Sequence, residues 1–226
     1  MALPLAERHP RLAAARVYFV CEPRPRGAGP AALLDAALDA GVGMIELREK
    51  SAGDDAALVE AARPFRDAAE SHRVPLILND RPDLVEACGA DGVHVGQGDA
   101  PVVEARRALG PEHIIGLSTH SMQQIAEACS AAPEARPDYI SVGPVWETPT
   151  KEGRPATGLG LIEHAARKAT LPWFAIGGID TTNVGDVVAA GAERIVIVRA
   201  VRDADDPGAA AGALREAVEA GTEVWE

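Results

Sequence analysis

Long hydrophobic runs are missing from this chain of 226 residues. Nowhere do about 18 consecutive apolar residues occur, the minimum for a membrane helix, so no membrane span is expected. Positive charge is also scarce: 22 Lys and Arg stand against 34 Asp and Glu, a formal net charge of -12. That balance argues against a nucleic-acid partner, whose phosphates call for a basic stripe. An anionic ligand must instead be gripped locally, by a few cations, backbone N–H groups and a metal ion converging in one pocket. Cysteine is sparse. Cys21, Cys88 and Cys129 lie far apart, without metal-ligand spacing, and cannot all pair within one chain, so they read as reduced thiols. Met1 to Arg16 lacks the apolar run of a signal peptide and carries Glu7, Arg8, His9 and Arg11, which makes the cytoplasm the expected location. Solenoid repeats, linkers and composition shifts are absent too, so one domain over residues 1–226 is expected, with residues 1–15 as a lead-in.

What is present is a regular alternation. Short apolar runs rich in Val, Ile or Leu occur at Arg16–Val20, Gly43–Leu47, Pro75–Leu78, Asp91–Val95, His113–Leu117, Asp138–Val142, Pro172–Ile176 and Arg194–Val198. Such runs suit strands buried on both faces. Between them lie Ala-rich segments with helical spacing, among them Pro30–Ala40, Asp54–Ser71, Pro101–Leu109, Ser121–Ala131 and Thr181–Ala190. Glycines at Gly41, Gly89 and Gly191 fit helix C-caps leading into the next strand. Glu22–Pro30, rich in Pro and Gly, reads as a loop. Eight strand–helix repeats in a chain of this length predict an α/β fold, a (β/α)8 TIM barrel. Its working groups should follow the strands, at the C-terminal ends.

Each of those positions carries polar residues. After the second strand, alternation sends Glu46, Arg48 and Lys50 to one side and Leu47 and Glu49 to the other; a solvated strand end with local ion pairs is the competing view. After the third strand come Asn79-Asp80-Arg81-Pro82-Asp83, where Asp80 or Asp83 could be an ordinary helix cap. After the fourth, Asp99 adds a second carboxylate at the neighbouring strand end. Paired aspartates beside Arg and Lys suit a hard cation that shares its oxygen ligands with a substrate's phosphates. His94, inside the strand, reads as a packed, hydrogen-bonded histidine. Ser118 stands nearest the end of the fifth strand, and Ser121 reads as an N-cap. The loop Gly143–Arg154 lacks helical or strand pattern and offers Thr148, Thr150, Lys151 and Arg154 to a multiply charged anion; a merely mobile loop is the alternative. Gly177-Gly178 after the seventh strand, and Val198-Arg199 after the eighth, occupy the place of the phosphate cradle in phosphate-binding barrels. Two anion sites at one mouth imply two phosphorylated substrates.

These residues resemble the thiamine-phosphate synthase family over nearly the whole chain. The matching stretches are Leu47-Arg48-Glu49-Lys50, Asn79-Asp80-Arg81, Gly89-Ala90-Asp91-Gly92-Val93-His94-Val95-Gly96-Gln97 with Asp99, Gly116-Leu117-Ser118-Thr119-His120-Ser121, Gly143-Pro144 with Thr148-Pro149-Thr150-Lys151, and Ala175-Ile176-Gly177-Gly178-Ile179. No single stretch is decisive, but their order and spacing are specific. The resemblance implies a transferase of thiamine biosynthesis that condenses a hydroxymethylpyrimidine pyrophosphate with a thiazole phosphate. Both are small molecules, and neither nucleic acid nor membrane is involved. It implies magnesium on Asp80 and Asp99, and catalytic roles for Arg48, Lys50, Lys151 and Ser118. Substrate contacts are implied at Glu46, Leu47, Arg48, Glu49, Lys50, Asn79, Ser118, Thr148, Pro149, Thr150, Lys151, Gly178, Val198 and Arg199. It further implies a dissociative mechanism, which needs no nucleophilic side chain. The chain departs from the family in having Glu46 where Gln is usual and Arg199 where Ser is common.

Two other enzyme classes share such a scaffold. Thiazole tautomerases lack the Asn-Asp pair and the second magnesium carboxylate, and a sugar-phosphate epimerase or isomerase needs an acid–base pair across the mouth. A non-catalytic binding module on a decayed barrel would be expected to have lost the cation and carboxylate positions.

Overall fold

The structure, a computed structural model, describes residues 5–50, 54–148 and 155–222. Strands β1 (Val17–Cys21), β2 (Met44–Leu47), β3 (Leu76–Asn79), β4 (Gly92–Val95), β5 (Ile114–Thr119), β6 (Tyr139–Val142), β7 (Trp173–Ile176) and β8 (Ile195–Ile197) close into a parallel barrel in sequence order. β8 pairs back onto β1 through Val17↔Ile195 and Tyr18↔Val196. Each strand lies within a residue or two of an expected apolar run.

The apolar runs are continuous because each face of each strand meets a different core. Val17, Phe19 and Cys21 of β1, with Ile45 and Leu47 of β2, pack outward against the surrounding helices. Tyr18, Met44, Ile77, Ile114, Tyr139, Phe174 and Val196 fill the interior. Inside, Tyr18, Tyr139 and Phe174 meet edge to face, with ring centroids 5.5 to 6.0 Å apart, the geometry that aligns positive ring edges with negative faces. Their bulk demands glycine opposite. A Cβ on Gly116 would lie 2.2 Å from Tyr139 and 2.5 Å from His94.

Helices at Ala31–Asp39, Asp55–His72, Val102–Leu109, Met122–Ser130 and Val184–Ala189 surround the barrel, close to their expected spans. The side chain of Asp54 accepts from Ala57 N at 2.7 Å and that of Ser121 from Gln124 N at 3.2 Å, so both act as N-caps. The last of these helices starts three residues later than its pattern suggests, because Asp180 and Asn183 spend their side chains on a turn. Asp180 accepts from Thr182, and Asn183 Oδ1 accepts from Asp180 N. Glu22–Pro30 is a loop interrupted by one 3-10 turn at Pro25–Gly27.

The lead-in takes on a definite structure. Residues Leu5–Arg8 and Pro10–Ala14 are helical, and Leu12 and Ala15 enter the inner core. This segment covers the N-terminal end of the barrel and is anchored by buried Asp138, which accepts from Arg8 Nη2 at 2.6 Å, Arg106 Nη2 at 2.7 Å and Ile115 N at 2.8 Å. His9 is buried beside them. Burial lowers its pKa most, Asp138 opposes this, and Arg8 and Arg106 add to the lowering. Unfolding therefore takes up a proton at mildly acidic pH, and His9 should cost stability as pH falls from about 6.5 toward its lowered native value. Urea denaturation between pH 7.5 and 5 should show that slope shrinking in His9→Leu; an unchanged slope would remove His9 as its source.

Candidate active site

Two adjoining cavities open at the C-terminal ends of the strands, and Ile176, Val196 and Val198 line both. The first contains the polar ends of β2 to β5: Glu46, Arg48, Lys50, Asn79, Asp80, Asp99 and Ser118 all line it. Alternation along β2 places Glu46, Arg48 and Lys50 there together. It also turns Leu47 into the outer core, fully buried, and leaves Glu49 off the lining, so the side chains of those two expected contacts are not brought to the cavity.

Asp80 is the hinge of this cavity. Its backbone lies in the left-handed region at φ 64°, which aspartate tolerates better than most residues yet which still costs on the order of 1 kcal/mol. Its N–H donates to His94 O at 2.9 Å, tying the loop after β3 to β4. The carboxylate is ion-paired with Lys50 and accepts from Asn79 Nδ2 at 3.0 Å. Burial pushes its pKa up, Lys50 pulls it down, and the neighbouring charge of Asp99 pushes it up again. Asp80 caps no helix; the 3-10 turn that follows, Pro82–Leu84, has Arg81 before it and no side-chain cap. Arg81 turns away to Asp55 and Asp83. Asp99, exposed on its loop, accepts from Gly96 N at 2.8 Å.

This donor set fits a divalent hard cation. Two carboxylates from neighbouring strand ends face one cavity, and the buried Asn79 Oδ1 beside them has no hydrogen-bond partner among the described residues. Among the described residues, no group of three or more His, Cys, Asp and Glu side chains is arranged to hold a metal ion by itself. An ion held by two aspartates would complete its shell with ligand and water oxygens, as a phosphate-bridging ion does.

Ser118 is buried, with Oγ 2.9 Å from His94 Nε2, and its carbonyl accepts from Gln97 Nε2 at 2.7 Å. His94 is the packed, hydrogen-bonded residue expected of it, its Nδ1 lying 3.0 Å from the Tyr139 hydroxyl. Tyr18 and Ser141 also line the cavity, and sequence reasoning missed both. The available signal was a hydroxyl at an inward position of an otherwise apolar strand.

The second cavity is lined by Thr148, Gly177, Gly178, Val198 and Arg199, together with His120, Asp180 and Asp203. Gly177 and Gly178 hold φ 107° and 69°. A Cβ on Gly177 would come within 2.4 Å of Pro144, so only glycine lets this loop lie against the start of the loop after β6. Asn183 Nδ2 donates to Gly178 O at 2.8 Å and fixes the loop from below; the sequence pattern did not single it out. Arg199 stands exposed at the rim. The Asp203 carboxylate is engaged by Arg202 at 2.7 and 2.8 Å, which lowers its pKa. Pro149, Thr150 and Lys151, expected to grip ligand from the loop after β6, lie outside the described residues, as does Arg154.

A closed barrel with a cation-and-carboxylate cavity beside a glycine cradle after β7 defines a class: phosphate-handling (β/α)8 enzymes with room for two anionic ligands at one mouth. The relatives narrow it. A family model described as thiamine monophosphate synthase matches residues 17–201. Thiamine-phosphate synthase of Streptomyces avermitilis is 48% identical over 202 residues, covering 89% of this chain and 92% of that protein. The enzyme of the same name from Mycobacterium sp. strain KMS is 44% identical over 227 residues, covering 96% and 99%. Among solved structures, thiamine phosphate pyrophosphorylase from Pyrococcus furiosus superposes with a TM-score of 0.81 at 28% identity, covering 91% of this chain and 96% of that one. The chain belongs to the thiamine monophosphate synthase family and is a transferase. No helix among the described residues is long and apolar enough to cross a membrane.

Proposed function

We propose that this chain joins 4-amino-2-methyl-5-hydroxymethylpyrimidine pyrophosphate to 4-methyl-5-(2-phosphoethyl)thiazole, giving thiamine phosphate and pyrophosphate, with the two substrates side by side in the two cavities. The observation that carries this reading is their shared wall at Ile176, Val196 and Val198, with cations and paired carboxylates on one side and the Gly177-Gly178 loop on the other.

Arg48, Lys50 and Asn79 bind the diphosphate at the rim of the first cavity, and Lys151 is assigned to the same anion. Asp80 and Asp99 would hold Mg2+, which when bound would supply positive charge to offset that of the diphosphate. The pyrimidine lies deeper, against Ser118. Gly178 and the backbone at Val198 and Arg199 take the thiazole phosphate, with Thr148, Pro149 and Thr150 against the thiazole. The bond between the pyrimidine methylene and the diphosphate oxygen breaks first, its electron pair leaving with the diphosphate. Arg48, Lys50 and Lys151 stabilise the negative charge that grows there, more strongly in the transition state than before it. The thiazole nitrogen then donates its lone pair to the cationic methylene, forming the new C–N bond. No side chain need act as a nucleophile.

The test mixes purified protein with both substrates and Mg2+ and seeks thiamine phosphate by mass spectrometry. Pyrophosphate should be released stoichiometrically with product and only when thiazole phosphate is present. Magnesium-dependent binding of the pyrimidine pyrophosphate without product would make the chain a binding module.

A further inference from the structure

The loops that follow β5, β6 and β7 interlock at Gly143, the first residue after β6. Its N–H donates to Thr119 O at 3.1 Å, which carries the pairing of β6 with β5 one residue further. Against β7 it lies so close that a Cβ there would come within 2.0 Å of Ile176 O. The chain then stays on β7: Val145 N donates to Ile176 O at 2.9 Å, and Trp146 N to Gly177 O at 3.1 Å. Thr157 closes the base of the loop, its N–H and hydroxyl both donating to Pro144 O, at 2.8 and 3.0 Å. A Cβ on Gly178 would meet Trp146 Cβ at 2.9 Å. The root of the loop after β6 and the glycine cradle after β7 are therefore one packed unit, and a shift of either displaces the other.

A side chain from the loop after β5 holds that unit. The ladder between β6 and β7 ends at Val142↔Ala175, so the Gly143 carbonyl lies past its last pair, and His120 Nδ1 stands 2.5 Å from it. A carbonyl can only accept, so Nδ1 carries the proton of this bond. His120 is itself fixed from behind. Its backbone N–H donates to Gln124 Oε1 at 2.7 Å, on the helix Met122–Ser130 that Ser121 caps. The ring lines the second cavity and not the first, and no step of the coupling reaction as written uses it.

We propose that His120 is a positioning residue for the second substrate. By donating from Nδ1 to Gly143 O it holds the root of the loop after β6 against β7, and so sets the spacing between Thr148 and the Gly177-Gly178 cradle into which thiazole phosphate fits. A rim held in place before the ligand arrives spares binding the cost of ordering it. The inference rests on the functional reading above and adds what keeps the second cavity in shape.

The test compares His120→Leu with His120→Asn. The two replacements share one outline, but asparagine keeps a donor one atom beyond Cγ, where histidine has Nδ1, and leucine offers Gly143 O none. His120→Leu should raise KM for thiazole phosphate, and its dissociation constant by calorimetry, about tenfold, the scale of one lost hydrogen bond with a carbonyl left unpaired. KM for pyrimidine pyrophosphate should change little, because His120, Gly177 and Gly178 do not line its cavity. His120→Asn should recover most of the loss. Melting curves establish that the variants are folded, and His120→Ala carries the same prediction where leucine is not tolerated. A merely structural role would lower the melting temperature and weaken both substrates alike. That equal weakening, a wild-type KM in His120→Leu, or an asparagine variant as weak as the leucine one overturns this inference alone, the last by showing that the imidazole acts on the ligand and not on the loop. Wild-type protein that neither binds nor uses thiazole phosphate overturns the functional reading, and this inference with it.

Discussion

Asp99→Asn is expected to lower kcat/KM by at least about a hundredfold while leaving the melting temperature nearly unchanged. Asp99 sits exposed on its loop and accepts a hydrogen bond from Gly96 N at 2.8 Å, which an asparagine oxygen can also accept. The fold therefore loses little. The site loses one of the two negative charges that would hold a divalent ion next to the departing diphosphate, and removing a single preorganised electrostatic partner from a developing charge costs on the order of a hundred to a thousandfold in rate. The Lys50–Asp80 ion pair would remain, so residual activity should demand more magnesium. Titrating Mg2+ at fixed substrate should show a raised half-saturation and a lowered plateau. Wild-type activity at saturating magnesium would remove Asp99 from ion binding.

The largest loss of stability is expected at the opposite end of the barrel. The carboxylate of Asp138 is almost fully buried, with 1% of its side chain exposed, and two guanidinium groups and a backbone N–H converge on it. Asp138→Ala would leave Arg8 and Arg106 facing each other around an apolar gap. Breaking a buried ion pair from one side costs about 3–5 kcal/mol, and the partial exposure of Arg8 points to the lower end. Urea denaturation should report that loss, together with release of the lead-in from the barrel. A change below about 1 kcal/mol would mean that the network contributes little. The folded fraction of this variant should keep its kcat, since Asp138 lies at the N-terminal ends of the strands and the candidate site at the C-terminal ends.

The sequence was most informative where one local rule dominated. The eight apolar runs located the strands because a strand buried on both faces has no polar side to obscure it. Period-two alternation alone separates Arg48 and Lys50 from Leu47, since neighbouring side chains on a strand must leave on opposite faces. Asp80 remained ambiguous between helix cap and ligand because both roles use the same residue type. The left-handed backbone at φ 64° and the pairing with Lys50 decide that it is no cap.

The sequence by itself determined the barrel, the order of its strands and that Glu46, Arg48, Lys50, Asn79, Asp80, Asp99 and Ser118 belong to the strand ends that form its mouth. Those properties follow from periodicities of two and 3.6 residues and from the topology of parallel strands. Only the tertiary structure decided the rest: that the lead-in closes the N-terminal end through Asp138, that Asn183 supports Gly178 from another turn, and that Glu46, Tyr18, Tyr139, His94 and Ser118 form one hydrogen-bonded chain. The physical reason is distance along the chain. Tyr18 and Tyr139 are 121 positions apart, and no local pattern encodes their meeting. Barrel closure brings the two hydroxyls together in a buried interior of low dielectric, where a polar group left without a partner is costly and each finds one in the other.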